Sequence, residues 1–195
     1  LPRQRLIAMV YEGENGKRYE AIHEVVYADE LTPEELAEAP QEQLPVKYTK
    51  AMAICLWGFT RWGDMHTARQ TRSLLALAGQ VRNISIPEEA DYVQALVTYL
   101  GILVDRVAAT STCFGRWHTS GEKLEHPFSR QAIPMNFDYP ESNPFCSSTG
   151  SAANQVEWIL RYVASEGSQS FGSVLVHASS GEKEQFLPKS LSAVV

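Results

Sequence analysis

The chain has 195 residues, 44% of them hydrophobic and 21% charged, which suits one sizeable globular core and excludes a wholly disordered chain. A formal net charge of -6 excludes nucleic-acid binding by overall electrostatics, because phosphate contact needs concentrated positive charge, and leaves only a local basic patch for that role. The three cysteines, Cys55, Cys113 and Cys146, lie far apart with no C-x-x-C pair and no histidine at ligand spacing, so neither a zinc ribbon nor a disulfide framework is encoded; free thiols suit a reducing cytoplasm.

In chain order, "RLIAMVY" (5–11) followed by "EGENGKRYEAI" predicts a β-hairpin, with Asn15-Gly16 supplying the positive backbone dihedrals of a tight turn. The hairpin region is expected over 1–30. An acidic, Pro-bounded linker over 31–48 carries the cap signature Thr32, Pro33, Glu35, which predicts a short solvated helix. A helical core over 49–195 follows. "HTARQTRSLLALAGQVR" (66–82) starts at a Thr67 cap and sets Leu74, Leu77, Ala78 and Val81 on one face, behind a polar and basic first half. The next helix opens at Pro87 and repeats apolar residues at Val93, Leu96, Val97, Leu100, Leu103, Val104 and Val107, a wide stripe that predicts burial. These two helices are the expected core. Within the second, "YVQALVTYLGILV" (92–104) is too short for a membrane span and is bounded by Asp91 and by Asp105 with Arg106, so no membrane partner is expected.

The stretch 114–145 has no helical or strand period and is expected to be an ordered insertion, because so long an irregular run inside a domain has a job or is disordered. "SAANQVEWILRYVASEG" (151–167) predicts a third long helix, capped by Ser151, with Val156, Ile159, Leu160 and Val163 inward and Gly167 beyond its end. "GSVLVHASS" and "LSAVV" then read as two short buried strands. The chain begins at Leu1 and stops on that apolar run without a turn, the pattern of a chain that continues.

Three places could carry chemistry. In "GFTRWGDMHTARQTR" (58–72), Arg61, Trp62, Asp64, His66 and Arg69 crowd a helix N-terminus, where backbone amides, the dipole, Arg69 and Arg72 favour an anion; a capped helix with a solvated first turn explains the same residues. In the irregular stretch, Arg116, Trp117, Lys123 and Arg130 interleave charge with aromatics as a nucleic-acid groove does, diluted by Glu122 and Glu125; the competing reading makes Trp117, Phe128 and Phe137 plugs over a core. "NPFCSSTGS" (143–151) has a passing likeness to the turn that wraps the cofactor in S-adenosylmethionine methyltransferases, but Asn143, Ser147 and Ser148 stand where an acid and glycines are needed, and Gly150 with Ser151 suits a helix cap. His23, His118, His126 and His177 lack partners at metal or triad spacing.

Together and in this order, "RWGDMHTARQTRSLLAL", "DYVQALVTYLGILVDRVA", "TCFGRWHTSGEKLEHPFSRQAIPMNFDYPESNPF" and "ANQVEWI" resemble the predicted adenine-specific DNA methylases that contain a zinc ribbon. The resemblance covers nearly the whole chain. It implies a segment lying after the family's cofactor turn and ribbon and before its catalytic Asp-Pro-Pro-Tyr, so that the chain alone has no catalytic residue, no metal and no bound cofactor. The full-length protein is expected to use S-adenosylmethionine and DNA, in the cytoplasm, methylating an adenine rotated out of the duplex. The implied fold is α+β and mainly helical, with an N-terminal β-hairpin and C-terminal strands belonging to an incomplete α/β methyltransferase sheet, "SVLVHAS" and "LSAVV" being neighbouring parallel strands. The residues singled out for DNA are Trp62, Arg69, Arg116, Trp117, Lys123, Arg130 and Gln131. Two other readings stand beside this one: a helical scaffold without DNA contact, and a small-molecule enzyme with a pocket at 147–151.

Overall fold

An antiparallel hairpin of β1 (Arg5–Gly13) and β2 (Gly16–Tyr27) opens the chain, as the Asn15-Gly16 turn signal predicts. The computed structural model describes residues 4–27, 29–45, 52–87, 89–129, 131–147 and 149–166. Of the two expected turn residues only Gly16 takes a positive φ, 114°, so the loop is Glu14-Asn15 closed by a Gly13–Gly16 pair. A Cβ on Gly13 would lie 2.7 Å from the Gly16 carbonyl oxygen, which is why a glycine stands there too. The ribbon leaves Ile7, Val10, Tyr19, Val25 and Tyr27 largely exposed.

Helix α1 (Pro33–Glu38) has the capping box its sequence predicts: Thr32 Oγ1 accepts from the Glu35 N–H at 3.3 Å, and the Glu35 carboxylate accepts from the Thr32 N–H at 2.9 Å. The residues after it, read from sequence as linker, run into the interior. Leu44 is buried, its N–H donating to the Thr60 carbonyl, while the Trp62 and Gly63 N–H groups donate to the Glu42 and Pro40 carbonyls. Gly63 is required by that approach, since a Cβ there would sit 2.6 Å from the Pro40 oxygen.

Helix α2 (Ala68–Arg82) begins at Thr67, whose hydroxyl accepts from the Gln70 N–H, and α3 (Ala90–Thr110) begins after Glu89, slightly later than its Pro87 start signal suggests. Which end of α2 is buried reverses the expectation. Ala68, Gln70 and Thr71 of the polar half are buried, whereas Leu74, Leu77, Ala78 and Val81 are only half-buried. Along α3 full burial is confined to Leu103 and Val107. At 21 residues α3 is long and apolar enough, by those two measures, to cross a membrane, which the shorter run 92–104 had not suggested; here it lies between α2 and α4 (Ala152–Glu166).

Helix α4 starts as predicted, Ser151 Oγ accepting from the Asn154 N–H at 3.2 Å. Its expected inward face is a correction: Val156 and Ile159 are half-buried, but Leu160 is 60% exposed and Val163 39% exposed. The buried residue of α4 is Gln155, which accepts from Arg106 Nε at 2.8 Å and so ties α4 to α3. Gly167, Arg130 and both expected C-terminal strands lie outside the described residues.

The main buried cluster is Leu44, Met52, Ile54, Phe59, Met65, Cys113, Phe114 and Ile133, with Cys55, Met135 and Tyr139 packed on it. None of these comes from the long helices that the sequence marks as the core. Its walls are 3₁₀ turns over Ala53–Trp57 and Trp62–Met65 and the start and middle of the irregular stretch. Phe59 meets Phe114 edge to face at 4.8 Å, and full burial of side chains of this size contributes roughly 1.5–3 kcal/mol each. The stretch enters this cluster through Phe114 and Ile133, and not through the expected plugs Phe128 and Phe137, which are exposed. Within it, β3 (Arg116–His118) and β4 (Lys123–Glu125) form a second small hairpin. Among the described residues the architecture is α+β, helices with two two-stranded antiparallel sheets.

Candidate functional site

Two of the regions marked by sequence meet at a cavity of about 340 Å³. Trp62, Met65 and His66 come from the loop before α2, Asp105, Ala108 and Ala109 from the second half of α3, Phe128 from the irregular stretch, and Pro40 from the end of the α1 segment. The loop that presents Trp62 is fixed by Asp64. Its carboxylate accepts from the Thr60 and Arg61 N–H groups, both at 2.9 Å, from Thr60 Oγ1 at 3.2 Å, and from Arg61 Nη2 at 3.0 Å. Burial, the largest single influence, pushes the Asp64 pKa up; the Thr60 and Arg61 bonds outweigh it and hold the carboxyl below its ordinary value.

His66 sits at the cavity with its Nδ1–H donating to the Ser111 carbonyl at 2.5 Å. That bond selects the Nδ1–H tautomer and leaves Nε2 as an acceptor. Burial lowers the imidazolium pKa, against the opposing pull of the Ser111 carbonyl, so the ring is neutral at pH 7. The cavity thus offers two aromatic rims, a half-buried imidazole acceptor, an exposed carboxylate and an otherwise apolar floor.

Of the arginines marked for phosphate contact, the described ones, Arg69, Arg72 and Arg116, are held by carboxylates. Arg69 Nε donates to Glu141 Oε1 at 2.9 Å, and Thr67 Oγ1 donates to the same carboxylate at 3.2 Å; the Glu141 bond is the main reason the Arg69 pKa rises. Arg116 Nε donates to Glu125 Oε2 at 3.0 Å, and this pairing holds the Glu125 carboxyl below its ordinary value. Arg72, one turn beyond Arg69, is bound by Glu35 at 2.8 Å and Asp29 at 3.4 Å. Such pairs leave less net positive charge for a phosphate than the sequence suggests.

Trp117 is half-buried and belongs to a hairpin-to-hairpin contact. Tyr19 meets it edge to face at 6.3 Å, Lys17 Nζ lies 5.7 Å over its ring, and Tyr19 Oη donates to Glu122 Oε1 at 2.7 Å. Lys17 Nζ also donates to the Glu122 carbonyl. Glu122 holds a positive φ of 44° in this turn. Lys123 and Gln131 are exposed. The structure therefore puts Trp62 at the cavity and Arg116, Trp117 and Lys123 on the β3–β4 hairpin, as two separate groups, with Arg69 tied to the end of the stretch. Asp105 and Phe128 were missed as site residues; Asp105 lies on the face of the helix away from the apolar stripe, where periodicity marks nothing.

The turn 143–151 is held by bonds to its neighbours. Asn143 Oδ1 accepts from the Phe145 N–H at 3.0 Å, the Pro144 carbonyl accepts from the Ala152 N–H at 2.8 Å, and the Gly150 carbonyl accepts from Thr110 Oγ1 at 3.2 Å. The first two bonds close the turn onto the start of α4 and the third ties it to the end of α3, while Ser151 takes the capping role the sequence suggests; among the described residues of the turn none lines the cavity. Cys113 is buried, and desolvation pushes its thiol up to about 12, which makes it inert as a nucleophile at neutral pH. Among the described residues no three His, Cys, Asp or Glu side chains converge as a metal site would require. Compared with known proteins, the chain matches no family model, no curated protein and no solved structure.

Proposed function

We propose that the chain is an internal segment of an adenine-specific DNA methyltransferase, acting in the cytoplasm, and that it builds a surface beside the catalytic domain without performing the chemistry. The observation that carries this reading is the joining of two of the four stretches that carry the resemblance. The Cys113 N–H and Thr112 Oγ1 both donate to the Met65 carbonyl, at 2.9 and 3.0 Å, and Arg69 reaches Glu141 across the same seam. Such long-range bonds hold the two stretches together as one architectural unit, which is what the reading as a surface beside the catalytic domain asks of them. In the intact enzyme a methyl group passes from the sulfonium of S-adenosylmethionine to the exocyclic amine of adenine, through residues outside this chain. Arg116, Lys123, Arg130 and Gln131 are the proposed backbone contacts and Trp62 and Trp117 the proposed stacking platforms.

One observation favours the scaffold alternative. Arg69 and Arg116 are each bound to a carboxylate, and Trp117 is engaged by Tyr19 and Lys17. The deciding experiment is on the intact protein: radiolabelled S-adenosylmethionine with double-stranded DNA, followed by nucleoside analysis. Label in N6-methyladenine is the expected result; label only in cytosine, or none, overturns the reading. A salt titration of DNA binding by Arg116→Ala then separates the two roles, since loss of one phosphate contact lowers the log–log slope by about 0.9 and a scaffold residue leaves it unchanged.

A further inference from the structure

We propose that the cavity between Trp62, His66, Asp105 and Phe128 is a receiving site for an organic cation on an apolar stem, of the alkylguanidinium or alkylammonium class. This goes beyond the methyltransferase reading and does not depend on it. The lining is the reason. Eight residues border the cavity and none is Lys or Arg, so it has no group to neutralise a phosphate or carboxylate. Its acidic side chain is Asp105, exposed and in no ion pair among the described residues. The neighbouring cation, Arg106, is turned to Gln155 of α4 and so is committed elsewhere.

The aromatic rims agree with that charge. Trp62 is 37% and Phe128 46% exposed, although Phe59 and Phe114 nearby in sequence are almost fully buried, so these two rings face the opening instead of filling the core. A cation over an aromatic face is attracted by the ring quadrupole, and Trp is the best such partner. The His66 ring, fixed with its proton on Nδ1 by Ser111, supplies a further acceptor for an N–H donor. Met65, Ala108, Ala109 and Pro40 give the stem apolar surface to cover. A volume of about 340 Å³ accommodates a butyl chain with its headgroup. A neutral nucleobase would use the rings and the acceptors but would leave the Asp105 charge without a counter-charge.

The test is a titration of the full chain, followed by the indole N–H resonances and by ligand-observed saturation transfer, with n-butylguanidinium, n-butylammonium, butyrate and adenosine as probes. The two cations are expected to bind and to shift the Trp62 indole, and butyrate to be silent. Asp105→Asn should weaken n-butylguanidinium by about threefold and Trp62→Leu by about fivefold, the size of solvent-exposed ion-pair and cation–π contacts. Asp91→Asn, at the far end of α3, should change nothing, and circular dichroism checks that each variant folds. A Gly-Ser-Arg-Ser-Gly peptide distinguishes the sources: binding much tighter than n-butylguanidinium assigns the site to an arginine of a protein partner, and equal or weaker binding assigns it to a free small cation. Adenosine binding while the cations are silent, or cation binding that Asp105→Asn leaves unchanged, overturns the proposal, as does the absence of any indole shift when both cations are titrated to about 0.3 M at constant ionic strength, several times the dissociation constant that roughly 0.3 kcal/mol per heavy atom would give the smaller probe.

Discussion

Replacing Asp64 should unfold the protein more readily than any change to the arginines around it. The side chain is 8% exposed and accepts from two backbone N–H groups, one hydroxyl and the Arg61 guanidinium. Asp64→Ala leaves the Thr60 and Arg61 amides without their acceptor, at about 1–3 kcal/mol for each buried donor so stranded, while the Arg61 guanidinium, 30% exposed, keeps its bond to Gln41 Oε1 at 2.8 Å. The loop lies between Phe59 and Met65, both in the main cluster, so its loosening is felt in the core. Asp64→Asn keeps one acceptor oxygen and loses the charge, and should cost about half as much. The sign with pH follows from the depressed folded-state pKa. The contribution is fully present above the ordinary carboxyl value and is lost as pH falls through the lower, folded value, so the wild type should lose stability below about pH 4 more steeply than Asp64→Asn. Urea melts from pH 7 down to pH 3 measure this. A loss under about 1 kcal/mol for Asp64→Ala at pH 7, or parallel acid profiles for the two proteins, would refute the argument.

Trp117→Ala should cost about 2–3 kcal/mol, from roughly 100 Å² of half-buried ring and its Tyr19 and Lys17 contacts, and should raise amide exchange in β2; unchanged exchange there means the hairpins do not depend on it. Gly150→Ala should destabilise by about 1–2 kcal/mol in thermal melts, because φ is +90° and the strain is in the backbone, a Cβ meeting Thr110 only at an ordinary 3.6 Å. Thiol labelling of the native protein at pH 8 should modify Cys55 and Cys146 and spare Cys113 until denaturant is added, given its burial and a pKa pushed up to about 12.

The local grammar of the chain is legible without any structure. Thr32, Thr67 and Ser151 announce three helix starts because a cap is a bond between a side chain and an amide three residues away. The first hairpin is equally local, announced by a turn with a glycine that tolerates positive φ. The expectation that the irregular stretch is ordered also follows from sequence, through the improbability of an idle run of that length.

Tertiary structure decided the rest. Periodicity marks the second and third helices as amphipathic but says nothing of what covers a stripe, and the principal core was instead assembled from Leu44, Ile54, Phe59, Phe114 and Ile133, in segments without a period. Whether a basic residue is free was equally invisible. Arg69 finds Glu141 and Arg72 finds Glu35 across dozens of intervening residues, so a patch that reads as phosphate-binding is neutralised by distant carboxylates. The cavity belongs to the same class, its four walls coming from four separated places in the chain. Caps and turns are encoded within a few bonds of backbone, whereas cores, ion pairs and cavities depend on which distant surfaces meet, and only the folded arrangement of this protein contains that information.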